Sequence, residues 1–149
     1  MKWVVGLGVV VGALVLGGAL YVRLAPSDPA RWHRPADLSG FGHFEGSNWH
    51  VWRGSGDRAL FERLDGIIRE EPRTKVLAGS VEEGMITYVT RSKVWGFPDY
   101  ATLRLYGDAG DEDGPRHIEI NSRARFGKSD LGVNRARVER WLAAAGQGG

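Results

Sequence analysis

The chain has 149 residues, with 20 Lys and Arg against 18 Asp and Glu, a net charge of +2, and no Cys. That length holds one domain and a tail. The small net charge excludes binding of nucleic acid by an overall positive field, and the missing thiol excludes disulfides, thiolate catalysis and Cys-type zinc sites.

The N-terminal stretch from Trp3 to Val22 is twenty residues without a charge. At about 1.5 Å rise per residue it makes a helix of about 30 Å, the thickness of a bilayer core. Lys2 precedes it and Arg23 follows it, and Trp3 and Tyr21 sit at the two ends, where amphipathic rings favour the membrane interface. The rival reading is a signal peptide cut after Ala19, where Gly17 and Ala19 are suitably small. Leu20, Tyr21 and Val22 continue the apolar run past that point, so a retained single-pass anchor is favoured. Lys2 and the amino terminus argue for a cytoplasmic start, whereas Arg23, Arg31 and Arg34 argue the reverse. The two-residue leader resembles an export-type signal-anchor, which places the soluble part in the periplasm or elsewhere outside the cytoplasm. Gly8 and Gly12 form a GxxxG, in a segment where Gly is frequent throughout.

Residues 24–54 form a Pro/Gly/Trp-rich linker in this reading. Pro26, Pro29 and Pro35 oppose a regular helix, while Trp32, Phe41, Phe44, Trp49 and Trp52 would lay the segment onto the folded domain. His33, His43 and His50 match no metal-ligand spacing and read as surface or interfacial histidines.

From Arg58 to Glu71 the pattern is helical, with Leu60, Phe61, Leu64, Ile67 and Ile68 on one stripe. Asp57 can cap its start and Pro72 ends it. Strands are expected over 74–80, over Met85–Trp95, over Tyr100–Tyr106 and from Arg116 to Ser122. In the third of these, Ala101, Leu103 and Leu105 alternate with Thr102, Arg104 and Tyr106. Asp108 to Pro115 reads as the solvated loop of a hairpin and lacks the spacing of a calcium loop. A last helix is expected from near Asp130 to about Ala145, with Leu131, Val138, Trp141, Leu142 and Ala145 on one face.

The fold class is therefore α+β: an antiparallel sheet of about four strands, one helix before it and one after, preceded by a single transmembrane helix. The boundaries are residues 1–23 for the anchor, 24–54 for the linker and 55–149 for the domain. Both helices are expected on the same apolar sheet face, which leaves the other face for a ligand or for the aromatic linker.

Between Ser122 and Arg140 stand six basic residues (Arg123, Arg125, Lys128, Arg135, Arg137, Arg140) against Asp130 and Glu139. The chain leaves a strand, turns at Gly127 and enters a helix, whose first N–H groups and partial positive charge suit an anion. Candidate ligand-binding residues are Arg123, Arg125, Lys128, Ser129, Asp130, Asn134 and Arg135, with Arg91, Phe97 and Asp99 at the rim. The same residues have a structural reading. Asp130 caps the helix, Gly127 permits a positive φ, Asn134 ties the turn and the arginines form internal ion pairs. General experience with such charge clusters puts this structural reading first.

Two stretches carry a family resemblance. The segment from Thr90 to Leu105, with Phe97-Pro98-Asp99, precedes a turn carrying Ser122, Arg123, Arg125, Gly127, Ser129, Asp130, Gly132, Asn134 and Arg137. Together they resemble the domain-of-unknown-function family fourteen-ninety-nine of bacteria and plastids, over roughly Phe61 to Leu142. Tyr100 stands where an acid often follows the Asp in that family, which speaks against a mechanism with two adjacent carboxylates. The resemblance implies a domain identity and no activity, cofactor or partner.

No nucleophile–base motif, zincin motif or P-loop is present, so no catalytic residue, metal or cofactor is assigned. The expectation is a non-catalytic module that meets the membrane through residues 3–22 and binds an anionic small molecule, a lipid headgroup or an envelope protein, with no nucleic acid. The alternatives are a hydrolase using Asp99 or Asp130 with an Arg, and a scaffold subunit of an envelope complex.

Overall fold

The computed structural model describes residues 1–107 and 115–147. The elements in chain order are α1 (Lys2–Leu24), the single turn α2 (Pro29–Trp32), β1 (Gly42–Gly46), β2 (Trp49–Ser55), α3 (Arg58–Glu70), β3 (Thr74–Ser80), β4 (Met85–Arg91), β5 (Pro98–Tyr106), β6 (His117–Ala124) and α4 (Val133–Ala144). The hairpin loop expected at 108–115 falls, apart from Pro115, outside the described residues.

α1 is apolar all round and buries no residue against the domain. It is long and apolar enough to cross a membrane. α3 starts where the Asp57 carboxylate accepts the Leu60 amide at 2.9 Å, and it ends at Glu70, with Glu71 as its C-cap just before Pro72. α4 begins at Val133, three residues later than the sequence suggests, because Asp130 caps a preceding turn.

The strands form one antiparallel sheet in the order β1-β2-β6-β5-β4-β3. It has six strands, not about four. The two additional strands come from residues 42–55, nearly all within the stretch 24–54 that reads as a Pro/Gly/Trp-rich linker in the sequence. Gly46 and Gly54 lie directly under the rings of Trp49 and Trp52, where a Cβ would collide with the indoles. Glycine here makes room for aromatic packing inside strands.

The two sheet faces differ. On one, Ile86, Tyr88, Ala101, Leu103, Leu105, Ile118 and Ile120 meet Leu60, Phe61, Leu64 and Ile68 of α3 and Val138, Trp141 and Leu142 of α4. Both helices thus cover the same apolar face. Leu131, expected on this face, precedes α4 and is exposed. The Tyr88 hydroxyl donates to Asp65 at 2.6 Å inside this core, and burial together with that carboxylate pushes its pKa well above the usual tyrosine value.

The other face is polar and carries Thr87, Thr102, Arg53, Glu119, Asn121 and Arg123. The segment 25–41 lies across it as a strap. Trp32 stacks on Tyr100 with ring centroids 4.0 Å apart. The Ala36 amide donates to Glu119 at 2.6 Å, His33 pairs with Thr87 at 2.9 Å, and Ser27 pairs with the Tyr100 hydroxyl at 2.7 Å. Arg53 donates to the Leu38 carbonyl and stands 3.3 Å from the fully buried Glu119 carboxylate. Burial raises the Glu119 pKa, against the pull of the Ala36 amide and Arg53. His43 and His50 pair at 3.0 Å beside Glu45, and burial, then His43, lowers the His50 pKa.

Trp32 holds the strap, so Trp32→Ala is expected to remove about 3 kcal/mol of packing and to release residues 25–41 locally. Hydrogen exchange of the full chain in detergent checks this: strap amides lose protection while β4 and β5 keep theirs. Equal loss across the sheet would show that strap and sheet unfold as one unit.

Candidate functional site

One end of the sheet gathers the residues of interest. The register places Arg91 opposite Pro98, Asp99 opposite Ala124, and Arg123 opposite Trp49. The β4–β5 loop, the β6–α4 turn and the last turn of α1 therefore meet at that end.

The β6–α4 turn is organised around two carboxylates. Asp130 accepts the Gly132 amide, the Asn134 amide and the Asn134 side-chain amide at 3.0, 3.0 and 2.6 Å. Burial opposes its ionisation, but the Asn134 and Gly132 donors outweigh it and hold the carboxyl below the usual range. Asn134 in turn accepts from the buried Ser122 hydroxyl at 2.6 Å and from Arg137 at 3.2 Å. Both terminal nitrogens of Arg137 donate to one oxygen of Asp99 at 3.1 Å. Burial pushes the Asp99 pKa up, against the pull of Arg137. Gly127 has φ of +94°, the left-handed value a bulkier residue resists. The amides at the start of α4 are thus occupied by Asp130, and Ser129 accepts the Leu131 amide at 3.2 Å.

The arginines of the stretch diverge. Arg123 turns under the strap and donates to the carbonyls of Trp32 and Arg34 and to Thr102. Burial lowers its pKa to about 10, so it stays charged at neutral pH. Arg125 donates to the Pro26 carbonyl at 2.8 Å and to the Tyr100 hydroxyl at 3.3 Å. Arg135 lies on the exposed side of α4, bound to Glu139 at 2.8 Å and Glu45 at 3.2 Å. Lys128 is exposed. Ser129, Asp130 and Asn134 come together with the rim residues Phe97 and Asp99. Arg123, Arg125 and Arg135 do not join them. The pocket of about 320 Å³ beside the turn is lined by Asp99, Asp130, Phe97, Phe126 and Val133 and by no cation.

The positive concavity is next door. A hollow of about 420 Å³ is lined by Arg23, Arg73, Lys75, Arg91 and Lys93, with no carboxylate among the described residues that line it. Arg91 donates to the carbonyls of Val22 at 3.3 Å and Gly96 at 2.9 Å, Arg73 to Arg91 at 3.0 Å, and Arg23 to Val94 at 2.8 Å. Carbonyls position these guanidiniums without neutralising them. Arg73 adopts φ of +61°, uncommon for a residue with a side chain. Of this group the sequence places only Arg91 at a candidate site, as a rim residue, and Arg23 as the charge that follows the apolar span. The others are separated along the chain and meet because β3 and β4 pair in register beside the end of α1. Arg137 was likewise absent from the candidate list, although the resemblance motif contains it.

Fold and site together define an antiparallel α+β domain behind an N-terminal apolar helix, with a hydrogen-bonded Asp-Asn-Arg-Asp turn at one sheet end. A family model described as "Protein of unknown function (DUF1499)" matches residues 25–144, and the chain belongs to that family. No curated protein matches the chain.

Arg137→Met leaves the mostly buried Asp99 carboxylate without its partner and is expected to cost about 3 kcal/mol. Adding Asp99→Asn to that variant recovers more than half of the loss. Urea melts of the two single variants and the double variant in detergent check the coupling, and simple additivity would show that the pair is not coupled.

Proposed function

We propose that this protein is a single-pass membrane-anchored, non-catalytic module that binds an anionic group in the hollow formed by Arg23, Arg73, Lys75, Arg91 and Lys93. The observation that supports this reading is the charge balance of the site: five cations and, among the described residues, no lining carboxylate around one concavity at the foot of an apolar helix. Phosphate or carboxylate oxygens fit such a set, with arginine forks fixing geometry and lysines adding charge. The β6–α4 turn supports this site mechanically, through the Asp99–Arg137 pair that opens β5. Lys128 adds to the positive charge at this end of the sheet. An extracytoplasmic orientation belongs to the same proposal.

The full chain in neutral-lipid nanodiscs is expected to bind inorganic phosphate and glycerol phosphate with an affinity that falls as salt rises. Lys75→Glu with Lys93→Glu, both exposed side chains, should weaken binding about tenfold or more. Salt-independent binding, or affinity unchanged in the double variant, would refute the reading.

A second reading rests on the neighbouring pocket. There Asp99 and Asp130 line one concavity, and Arg137 holds one Asp99 oxygen. A hydrolase here would use these two carboxylates, with Arg137 acting only through Asp99, since no cation is among the described residues lining the pocket. Turnover of chromogenic phosphate or carboxylate esters that disappears in Asp99→Asn would favour it. The binding reading expects no turnover in the unmodified chain.

A further inference from the structure

We propose that the β4–β5 loop, residues 92–97, is a membrane-insertion element that seats this end of the domain on an anionic bilayer, so that the hollow beside it closes on lipid phosphate. The inference rests on the anion-binding reading and names the source of the anion.

The first argument is one of level. At about 1.5 Å per residue, the 23 residues of α1 outrun a hydrocarbon core of about 30 Å, which leaves the last turn in the interface. That turn is fastened to the loop. Arg23 donates to the Val94 carbonyl at 2.8 Å, and Arg91 donates back to the Val22 carbonyl at 3.3 Å. Tyr21 meets Phe126 edge-on at 6.3 Å, and Phe126 meets Phe97 at 6.1 Å. The loop therefore sits at the depth where the span emerges.

The second argument is the surface the loop presents. Val94 is 69% exposed, Trp95 52% and Phe97 39%. Tyr21, Trp95, Phe97 and Phe126 come from three separate chain segments and gather at this one level, as the aromatic belt of a membrane protein does. An exposed tryptophan with an apolar body and an N–H suits the headgroup boundary. The third argument is self-containment. The Ser92 amide donates to the Phe97 carbonyl at 2.9 Å, the Gly96 amide to the Ser92 carbonyl at 3.2 Å, and the Phe97 amide to the Ser92 hydroxyl at 2.9 Å. Three of the loop's amides, at Ser92, Gly96 and Phe97, are satisfied within the loop and lose less on leaving water.

Charge then selects the surface. The hollow on one side of the loop is lined by four cations from neighbouring segments and by Lys93 of the loop itself, with no carboxylate among its described lining residues, so an anionic leaflet attracts the face that presents Val94 and Trp95. α1 already holds the domain at the bilayer, so insertion is an intramolecular step.

The chain contains no Cys, which permits a single environment-sensitive label. Val94→Cys and, as a reference on exposed α3, Glu62→Cys are labelled with nitrobenzoxadiazole. The full chain is then placed in nanodiscs of phosphatidylcholine alone or mixed with phosphatidylglycerol. Label 94 is expected to shift to the blue, to be quenched by lipid-borne nitroxide and to be shielded from iodide, most strongly in the anionic lipid, while label 62 stays in water. Lys75→Glu with Lys93→Glu should abolish the preference for phosphatidylglycerol. Label 94 as open to iodide as label 62 in both lipids would overturn the proposal, even where inorganic phosphate still binds. Shielding that is equal in both lipids and unmoved by the lysine changes would also overturn it, because insertion would then not select an anionic surface.

Discussion

The placement of Arg123 governs much of this molecule. Its guanidinium lies under Trp32, between the strap and the polar face of the sheet, and it donates to carbonyls of the strap. A buried cation must be satisfied by fixed oxygens, and the strap supplies them. Glu119 and Arg53 follow the same rule, drawing on Ala36 and Leu38. The strap is thereby held by charge-assisted hydrogen bonds as well as by the Trp32–Tyr100 stack. Because it starts at Ala25, directly after α1, it also fixes where the apolar helix meets the domain.

Much of the architecture was legible in the sequence because its signals are periodic. The stripe Leu60, Phe61, Leu64 and Ile68 is buried as a helix face, and Ala101, Leu103 and Leu105 line the core as an alternating strand. β1 and β2 were not legible for a physical reason. β2 is covered on both faces, and its second face is polar, so Val51 and Arg53 share one side while His50 and Trp52 share the other. Such a strand has no simple hydrophobic alternation, and the glycines that accommodate Trp49 and Trp52 resemble turn residues.

The candidate site divides along similar lines. Local chemistry was readable: the Asp130 cap, the Gly127 conformation and the tie through Asn134 all lie within a few residues of each other. The direction of each arginine was not, since neighbours along a strand end point to opposite faces and the turn then redirects them. Arg123 and Arg125 go to the strap and Arg135 to Glu45, whereas the uncompensated charges lie on β3, β4 and the end of α1. A basic stretch in one dimension thus marks the turn that builds this end of the sheet, and the positive hollow is assembled from residues far apart in the chain.

Why that hollow stays positive follows from where the nearby acids go. Asp99 is held by Arg137, Asp130 by the Gly132 and Asn134 amides at the start of α4, and Glu71 by Arg140 and Trp141. Asp99 and Glu71 join α4 to the rest of the domain, and Asp130 ties the preceding turn to the first residues of α4. The interactions that dock the last helix therefore leave Arg73, Lys75 and Lys93 without acid partners among the described residues at the foot of α1. In a chain with a net charge of only +2, the field at this end comes from the spatial separation of acids and bases, and it persists as long as α4 remains docked.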